Sequence, residues 1–327
     1  MQRYTSTHDC LPTLRPSCHS IYLFKSANMS SNQWDVCTFA TCSIKQSIFQ
    51  YRPSLAANSV FIALFGLSLI IHVFQGVLYT QKTFAILMSL GCICEMIGYG
   101  GRILMWKDPW GFNGFIIQIV CITIAPVFMT AAIYVTLYRS IMKLSPSSAA
   151  FRPALYYQIF VPCDIVALVL QSVGGAMSSQ SSGSSQAGVN IGLAGLSFQV
   201  LTLLIFIALG CQYAFRYRSD AKLGKAGMNS LDGRFKWVFG MVSFATLLIF
   251  IRCVYRIYEL SDGYHGAALH DEGLFIGLES IMIILATFIL NLGHPGMAFS
   301  PKYKQAHAVD FTAELSDSGV STEKVKH

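Results

Sequence analysis

The sequence predicts an all-α integral membrane protein: a bundle of seven transmembrane helices, N-terminus outside and C-terminus in the cytoplasm. Three observations carry that reading. The 327-residue chain is 54% hydrophobic and only 12% charged, against about 25% charged residues in ordinary soluble domains. Its apolar residues gather in seven runs, 55–79, 84–105, 115–138, 154–177, 189–214, 237–258 and 273–292. Each is long enough to cross the bilayer, since roughly 20 helical residues span about 30 Å of hydrocarbon. Finally, the basic residues alternate between connectors. One side holds twelve (Lys82, Arg139, Lys143, Arg152, Arg216, Arg218, Lys222, Lys225, Arg234, Lys236, Lys302 and Lys304) and the other holds Lys45, Arg52 and Lys107. The basic side is the cytoplasmic one.

Residues 1–54 form an extracellular or lumenal tail in this scheme. They contain no apolar core long enough for a signal peptide, so the first run is expected to serve as its own insertion signal. Asn28-Met29-Ser30 is a glycosylation sequon, usable only on the lumenal or extracellular side. Cys10, Cys18, Cys37 and Cys42 share this tail. In an oxidising compartment they form two disulfides, with three connectivities open; the alternative is a disordered tail with chance cysteines. The other six cysteines lie in apolar runs and read as small core residues.

Residues 55–296 form the membrane domain. The runs are helices rather than strands, because lipid offers no partner to open backbone groups and barrel strands alternate over about 10 residues. Pro126 and Pro162 fall inside the third and fourth runs, where each frees a backbone carbonyl and bends its helix. Gly188 and Gly192 make a GxxxG at the start of the fifth run, and Gly174-Gly175 lie late in the fourth. Such residues let helices approach closely, here within the bundle or, alternatively, against a second copy of the chain. The serine-rich stretch 178–185 is an outer turn. Residues 297–327 are polar and read as a disordered cytoplasmic tail.

Ionisable residues in hydrocarbon cost several kcal/mol and normally face protein or water. Glu95, Arg102, Asp164, Arg252 and Glu279 lie well inside the runs, Arg256 and Glu259 near the outer end of the sixth, and Gln118, Gln171 and Gln199 add buried amides. Helical spacing puts Glu95 with Arg102, Asp164 with Gln171, and Arg252 with Arg256 and Glu259 on single faces. Counted from the outer ends, all ten fall in the outer half or at the midplane, and the inner half is apolar by comparison. The pattern predicts a polar cavity opening toward the outer leaflet; ion pairs that merely hold helices together are the alternative. Arg252 and Glu279 reach similar depth on sequential helices and are expected to pair, with Glu259 and Arg102 as the alternative partners.

Several chemistries have no motif here. There is no Walker A sequence, no HExxH and no nucleophile elbow. The last run contains no lysine for a retinal, and Tyr138-Arg139-Ser140 lacks the acid–arginine pair of the large receptor superfamily. His265, His270, Asp271 and Glu272 share one outer loop, but no metal is expected there, nor any cofactor, enzymatic activity or nucleic-acid partner. The formal charge of +7 is explained by the cytoplasmic connectors.

Tyr51-Arg52-Pro53-Ser54 precedes the first run. Glu95-Met-Ile-Gly-Tyr99 with Arg102 marks the second, and Gln118, Ala125-Pro126, Tyr134 and Arg139 mark the third. Asp164, Gln171 and Gly174-Gly175 mark the fourth, Arg252, Arg256 and Glu259 the sixth, and Glu279 and His294-Pro295-Gly296 the seventh. In this order, over residues 51–296, the set resembles the fungal lipid-translocating exporter family. That family is also called RTA-like, for resistance to aminocholesterol, and includes the sphingoid long-chain-base resistance proteins. The resemblance implies a multi-pass protein of the plasma membrane, or of the vacuolar or another internal membrane. Its partners would be membrane lipids and an amphiphilic substrate, and it would confer tolerance of toxic lipids or drugs under stress. Two readings follow: a translocator whose cavity receives the ammonium of a sphingoid base, with Tyr99 among the lining residues, or a receptor-like lipid sensor that does not transport.

Overall fold

The computed structural model describes residues 39, 42–47, 49–144, 152–180, 186–222, 233–261, 263 and 266–299. Among these, seven helices are long and apolar enough to cross a membrane, and there is no strand. They are α1 (Leu55–Leu78), α2 (Lys82–Lys107), α3 (Phe112–Leu144), α4 (Leu155–Gln180), α5 (Gln186–Lys222), α6 (Gly233–Ser261) and α7 (Glu272–Ala298). Short 3-10 turns at Ile44–Gln46 and Ala267–His270 precede α1 and α7. The chain is a multi-pass membrane protein.

Sequential helices pack side by side, and α7 closes the ring against α1 and α6. α3 contacts α2, α4 and α6 and is the most enclosed span, whereas α4 is the most peripheral. The core is built from large side chains on inward faces, among them Phe65, Tyr99, Ile122, Met129, Tyr134, Ile249 and Leu290. Outward faces carry large apolar side chains fully presented to the surroundings, such as Ile70, Phe74, Val77 and Val169. In water such a surface would aggregate; in a bilayer it meets hydrocarbon.

Helix ends follow local chemistry. Ser54 caps α1 by accepting the Ala57 N–H at 3.3 Å. Asp271 caps α7, accepting the N–H groups of Gly273 and Leu274 at 2.8 and 3.2 Å. Both use the short polar side chain that a helix N-terminus favours.

Several boundaries differ from the sequence expectation. α3 runs on to Leu144 and α5 to Lys222, so Arg139, Lys143, Arg216, Arg218 and Lys222 are helical rather than parts of connectors. Apolar runs report the thickness of the hydrocarbon, and a helix with good propensity continues beyond it. The other difference is in α7, where Phe275–Ile281 form a π-helical segment before the α-geometry resumes at Met282. Cys10, Cys18, Cys37, Asn28 and the tail 300–327 lie outside the described residues. Cys42 is disulfide-bonded, and the six cysteines of the spans are free.

The glycine motif is used inside the chain. A Cβ on Gly174 would lie 2.6 Å from the Gly188 carbonyl oxygen, and one on Gly188 would lie 2.8 Å from the Ser178 backbone nitrogen. The α4–α5 contact therefore depends on backbones approaching more closely than any side chain allows. Gly188 faces α4 of its own chain.

Candidate functional site

Two faces of the bundle are distinguished below. The N-terminal face carries the segment before α1 and the α2–α3, α4–α5 and α6–α7 connections; the C-terminal face is the opposite one.

At the N-terminal face the segment before α1 folds over the helix ends. Phe49 packs with Met105, Phe115 and Leu269, with Tyr51 and Ile119 beside them. His270 Nδ1 meets the Phe49 carbonyl at 3.0 Å. Arg52 donates to the Trp106 carbonyl at 2.8 Å and lies over its ring at 4.2 Å. Beneath this cover Arg102 is 1% exposed. Its Nε donates to Asn58 Oδ1 at 3.1 Å, its Nη2 to the Tyr51 hydroxyl at 2.9 Å, and its guanidinium lies 4.0 Å from the Phe275 ring. Glu272 lies 3.7 Å from Arg102 and also accepts the Ser54 N–H at 2.6 Å. Burial pushes the Tyr51 hydroxyl above its ordinary value, and the Arg102 guanidinium pulls the other way. The tail boundary expected at residue 54 thus falls earlier, because residues 44–53 belong to the packed domain.

Deeper, α2, α3, α6 and α7 converge on Glu95, Arg252 and Glu279. Arg252 Nη2 pairs with Glu279 Oε1, and the same nitrogen donates to the Ile122 carbonyl at 2.8 Å. That carbonyl is the one Pro126 frees, four residues on, by lacking an N–H. The proline and the arginine are therefore one device: α3 offers an acceptor that only a buried donor can use. Arg256 pairs with Glu259 one turn nearer the N-terminal face. Of the alternative partners named from sequence, neither Glu259 nor Arg102 displaces the Arg252–Glu279 pair.

Glu95 is 0% exposed, and among the described residues none donates a hydrogen bond to either carboxylate oxygen. It lies within electrostatic reach of Arg252, Glu279 and Arg256, as Glu259 does of Glu279 and Arg102. The charges thus form one file from the N-terminal face inward: Glu272, Arg102, Glu259, Arg256, Glu279, Arg252 and Glu95. Among the described residues, four carboxyls face three guanidiniums. Other polar atoms around the file also have no hydrogen-bond partner among the described residues, including Glu279 Oε2, Arg252 Nε, Gln118 Oε1 and the Tyr255 hydroxyl. Tyr99 lies against Phe61 and Phe65, with ring centroids 5.2 and 5.7 Å away.

Asp164 belongs to a separate network joining α3, α4 and α5. It accepts the hydroxyls of Tyr134 at 2.9 Å, Thr130 at 3.1 Å and Thr202 at 3.3 Å. Gln171 donates to Gln199 at 3.0 Å, one turn and more along the same two helices. The ion pairs of Arg102, Arg252 and Arg256, the hydroxyls on Asp164 and the Gln171–Gln199 bond are thus separate contacts in different parts of the bundle, and nearly all eleven residues expected to line the cavity are buried.

Sequence reasoning passed over a third polar cluster in the half toward the C-terminal face, which it read as apolar. Asn291 donates to Ser68 at 2.6 Å, and Gln75 donates to the Asn291 carbonyl at 3.0 Å. His72 and His294 are both 0% exposed, and His294 Nδ1 accepts the Gly296 N–H at 3.0 Å while its ring stacks on Tyr79. The available signal was the His294-Pro295-Gly296 sequence together with three uncharged polar residues on one face of α1. The buried polar groups counted from sequence included Gln118, Gln171 and Gln199 but not Ser68, His72, Gln75 or Asn291.

A crevice of about 130 Å³ lies between α3, α5 and α6 in the same half, walled by Ile133, Leu137, Phe206, Gly210, Phe235 and Val242. This is smaller than the roughly 300–1,000 Å³ of most ligand pockets. Its hydroxyls are consumed locally: Thr136, Ser140, Ser243 and Thr246 donate to carbonyls of their own helices at 2.7–2.8 Å. What remains is an apolar lining. Among the described residues, no group of three or more His, Cys, Asp or Glu side chains is arranged to hold a metal ion.

The family model described as RTA1 like protein matches residues 88–302. The sphingoid long-chain base transporter RSB1 of Saccharomyces cerevisiae is 32% identical over 284 residues, covering 76% of this chain and 73% of that protein. The probable lipid transporter atnI of Emericella nidulans is 28% identical over 262 residues, covering 76% and 68%. Protein RTA1 of Saccharomyces cerevisiae is 27% identical over 266 residues, covering 73% and 82%. No solved structure matches the chain.

Proposed function

The chain belongs to the RTA1-like family, and from that premise we propose that it moves amphiphilic lipids with a cationic head, sphingoid long-chain bases foremost, across a cellular membrane. One observation supports this above the others: the buried file of four carboxyls and three guanidiniums, in which the Glu95 carboxyl has no donor among the described residues. An ammonium carries one positive charge and several N–H donors. It supplies both things that Glu95 lacks. An anionic head would add to the excess negative charge instead, at a cost of several kcal/mol in a medium of low dielectric.

The rest of the reading is consistent with an amphiphile. The crevice wall is apolar in character, because its hydroxyls already donate to carbonyls of their own helices. The RSB1 and atnI relatives are named for lipid transport, which gives the substrate class its second support. We place the N-terminus outside and the C-terminus in the cytoplasm, of the plasma membrane first. The distribution of basic residues, the Asn28 sequon and the oxidised Cys42 favour that orientation.

Purified protein in liposomes with a fluorescent long-chain base tests the proposal. Transfer to the leaflet protected from a membrane-impermeant quencher is expected to exceed that in protein-free liposomes, and Glu95→Ala is expected to remove the excess. Saturable binding without transfer overturns the translocator and leaves a lipid sensor.

A further inference from the structure

We propose that Glu95 exchanges a proton for the cationic head, so that one proton leaves the site for each ammonium that arrives. This inference rests on the translocator reading and adds its ion coupling. The surroundings of Glu95 define the problem. From its own helix, Cys92, Cys94 and Tyr99 lie within electrostatic reach, and from α3 Cys121. Thiols and a phenol bring no charge at neutral pH. α6 supplies Arg252 and Arg256, and α7 supplies Glu279. Both arginines are already engaged by carboxylates, Arg252 by Glu279 and Arg256 by Glu259.

Glu95 is therefore the carboxyl left over. As an anion it would sit fully buried in the membrane interior with no hydrogen-bond donor, the most expensive state available to it. As a neutral acid it leaves the file with three carboxylates and three guanidiniums, a balanced set. A lipid cation reverses the preference, because its positive charge balances the anion whether or not it also donates N–H groups. Written out, the neutral Glu95 acid and the incoming R–NH3+ give the Glu95 carboxylate paired with R–NH3+, and the carboxyl proton passes to solvent water. The carboxyl O–H bond breaks as a new O–H bond forms on water, the lipid's own bonds are untouched, and the net charge of the site is the same before and after. The exchange is electroneutral, and a proton gradient of the right sign drives the lipid against its own gradient.

The test counts protons with a ligand that has none to give. The N,N,N-trimethyl derivative of a long-chain base has a fixed charge. Its binding to the full-length protein in zwitterionic lipid nanodiscs is measured calorimetrically at pH 7 in two buffers of different ionisation enthalpy. The expected result is one proton released per ligand bound, with Kd falling about tenfold for each unit rise in pH while Glu95 holds its proton. Glu95→Gln is expected to bind without proton release. Binding of the fixed cation to the native protein without proton release overturns the proposal, as does unchanged release in Glu95→Gln or no binding at all. The wild-type proton count decides the matter even if the variant does not fold. Transfer of the labelled base without proton release refutes the coupling and leaves the translocator standing; proton-linked binding without transfer does the reverse.

Discussion

Arg252→Ala should destabilise the bundle more than Glu279→Ala, and the reason is Pro126. Both side chains are buried, at 3% and 0% exposure. Removing either partner of such a pair leaves a lone charge, at a cost of about 3–5 kcal/mol. Removing Glu279 places its variant at the lower end, since Glu95 lies within reach of Arg252 as a substitute. Removing Arg252 also leaves the Ile122 carbonyl, now held at 2.8 Å, without a donor, which adds about 1–3 kcal/mol. The double variant Arg252→Ala/Glu279→Ala should then fall short of the sum of the singles by about 1–3 kcal/mol. In a Pro126→Ala background the restored N–H takes the Ile122 carbonyl, and the extra cost of Arg252→Ala should vanish. Equilibrium unfolding in mixed micelles titrated with SDS, followed by tryptophan fluorescence, measures each free energy. Strictly additive singles refute the pair as a coupled unit. An Arg252→Ala excess that persists without Pro126 refutes the carbonyl argument while leaving the ion pair intact.

Burial raises the Tyr51 hydroxyl above the ordinary tyrosine value of about 10, which gives the N-terminal cover a pH limit. The stability tied to that hydroxyl is complete below about pH 10 and is lost as pH rises through the higher folded value. Tyrosinate absorbance at high pH should show one late-titrating tyrosine fewer in Tyr51→Phe than in the wild type; an unchanged titration curve contradicts the assignment. Topology can be read by two labels on one tail. Glycosidase treatment should shift wild type but not Asn28→Gln, and thiol tagging of the denatured, unreduced chain should modify Cys92, Cys94, Cys121, Cys163, Cys211 and Cys253 but not Cys42. A Cys42 that reacts without reductant, or an Asn28 that is never modified, argues for a cytosolic tail.

The spans were legible because lipid imposes a length and a composition that need no tertiary knowledge. Their ends were less so: α3 and α5 continue into water on Arg139, Lys143, Arg216 and Arg218, where hydropathy falls but the helix does not. The Arg252–Glu279 pair could be inferred from depth and adjacency, because sequential helices leave few partners for a buried charge. Its link to Ile122 could not, since Pro126 announces a free carbonyl but not which side chain will reach it. The separation of the Asp164 contacts from the arginine ion pairs was likewise hidden. Asp164 and Glu95 lie at similar depth, and only the arrangement of helices around the ring separates them. The π-helical segment at Phe275–Ile281 left no mark in the hydropathy pattern, yet it carries Glu279, in keeping with the frequency of such segments at functional positions.

The folded-over segment at the N-terminal face has a consequence for which molecules are ever tested against the site. With Phe49 and Tyr51 seated above Arg102, a solute arriving from that aqueous side meets these two rings first. On the proposed translocator reading, the approach then runs sideways, from within the bilayer and between helices. Selection then takes place in two stages, and the first is carried out by the bilayer rather than the protein: a compound must dissolve in the leaflet and lie with its head near the right depth before any residue meets it. Ranking candidates by affinity in detergent solution would omit that stage. Chain length and saturation, which set where a head group rests, should therefore govern apparent specificity as strongly as the chemistry of the head itself.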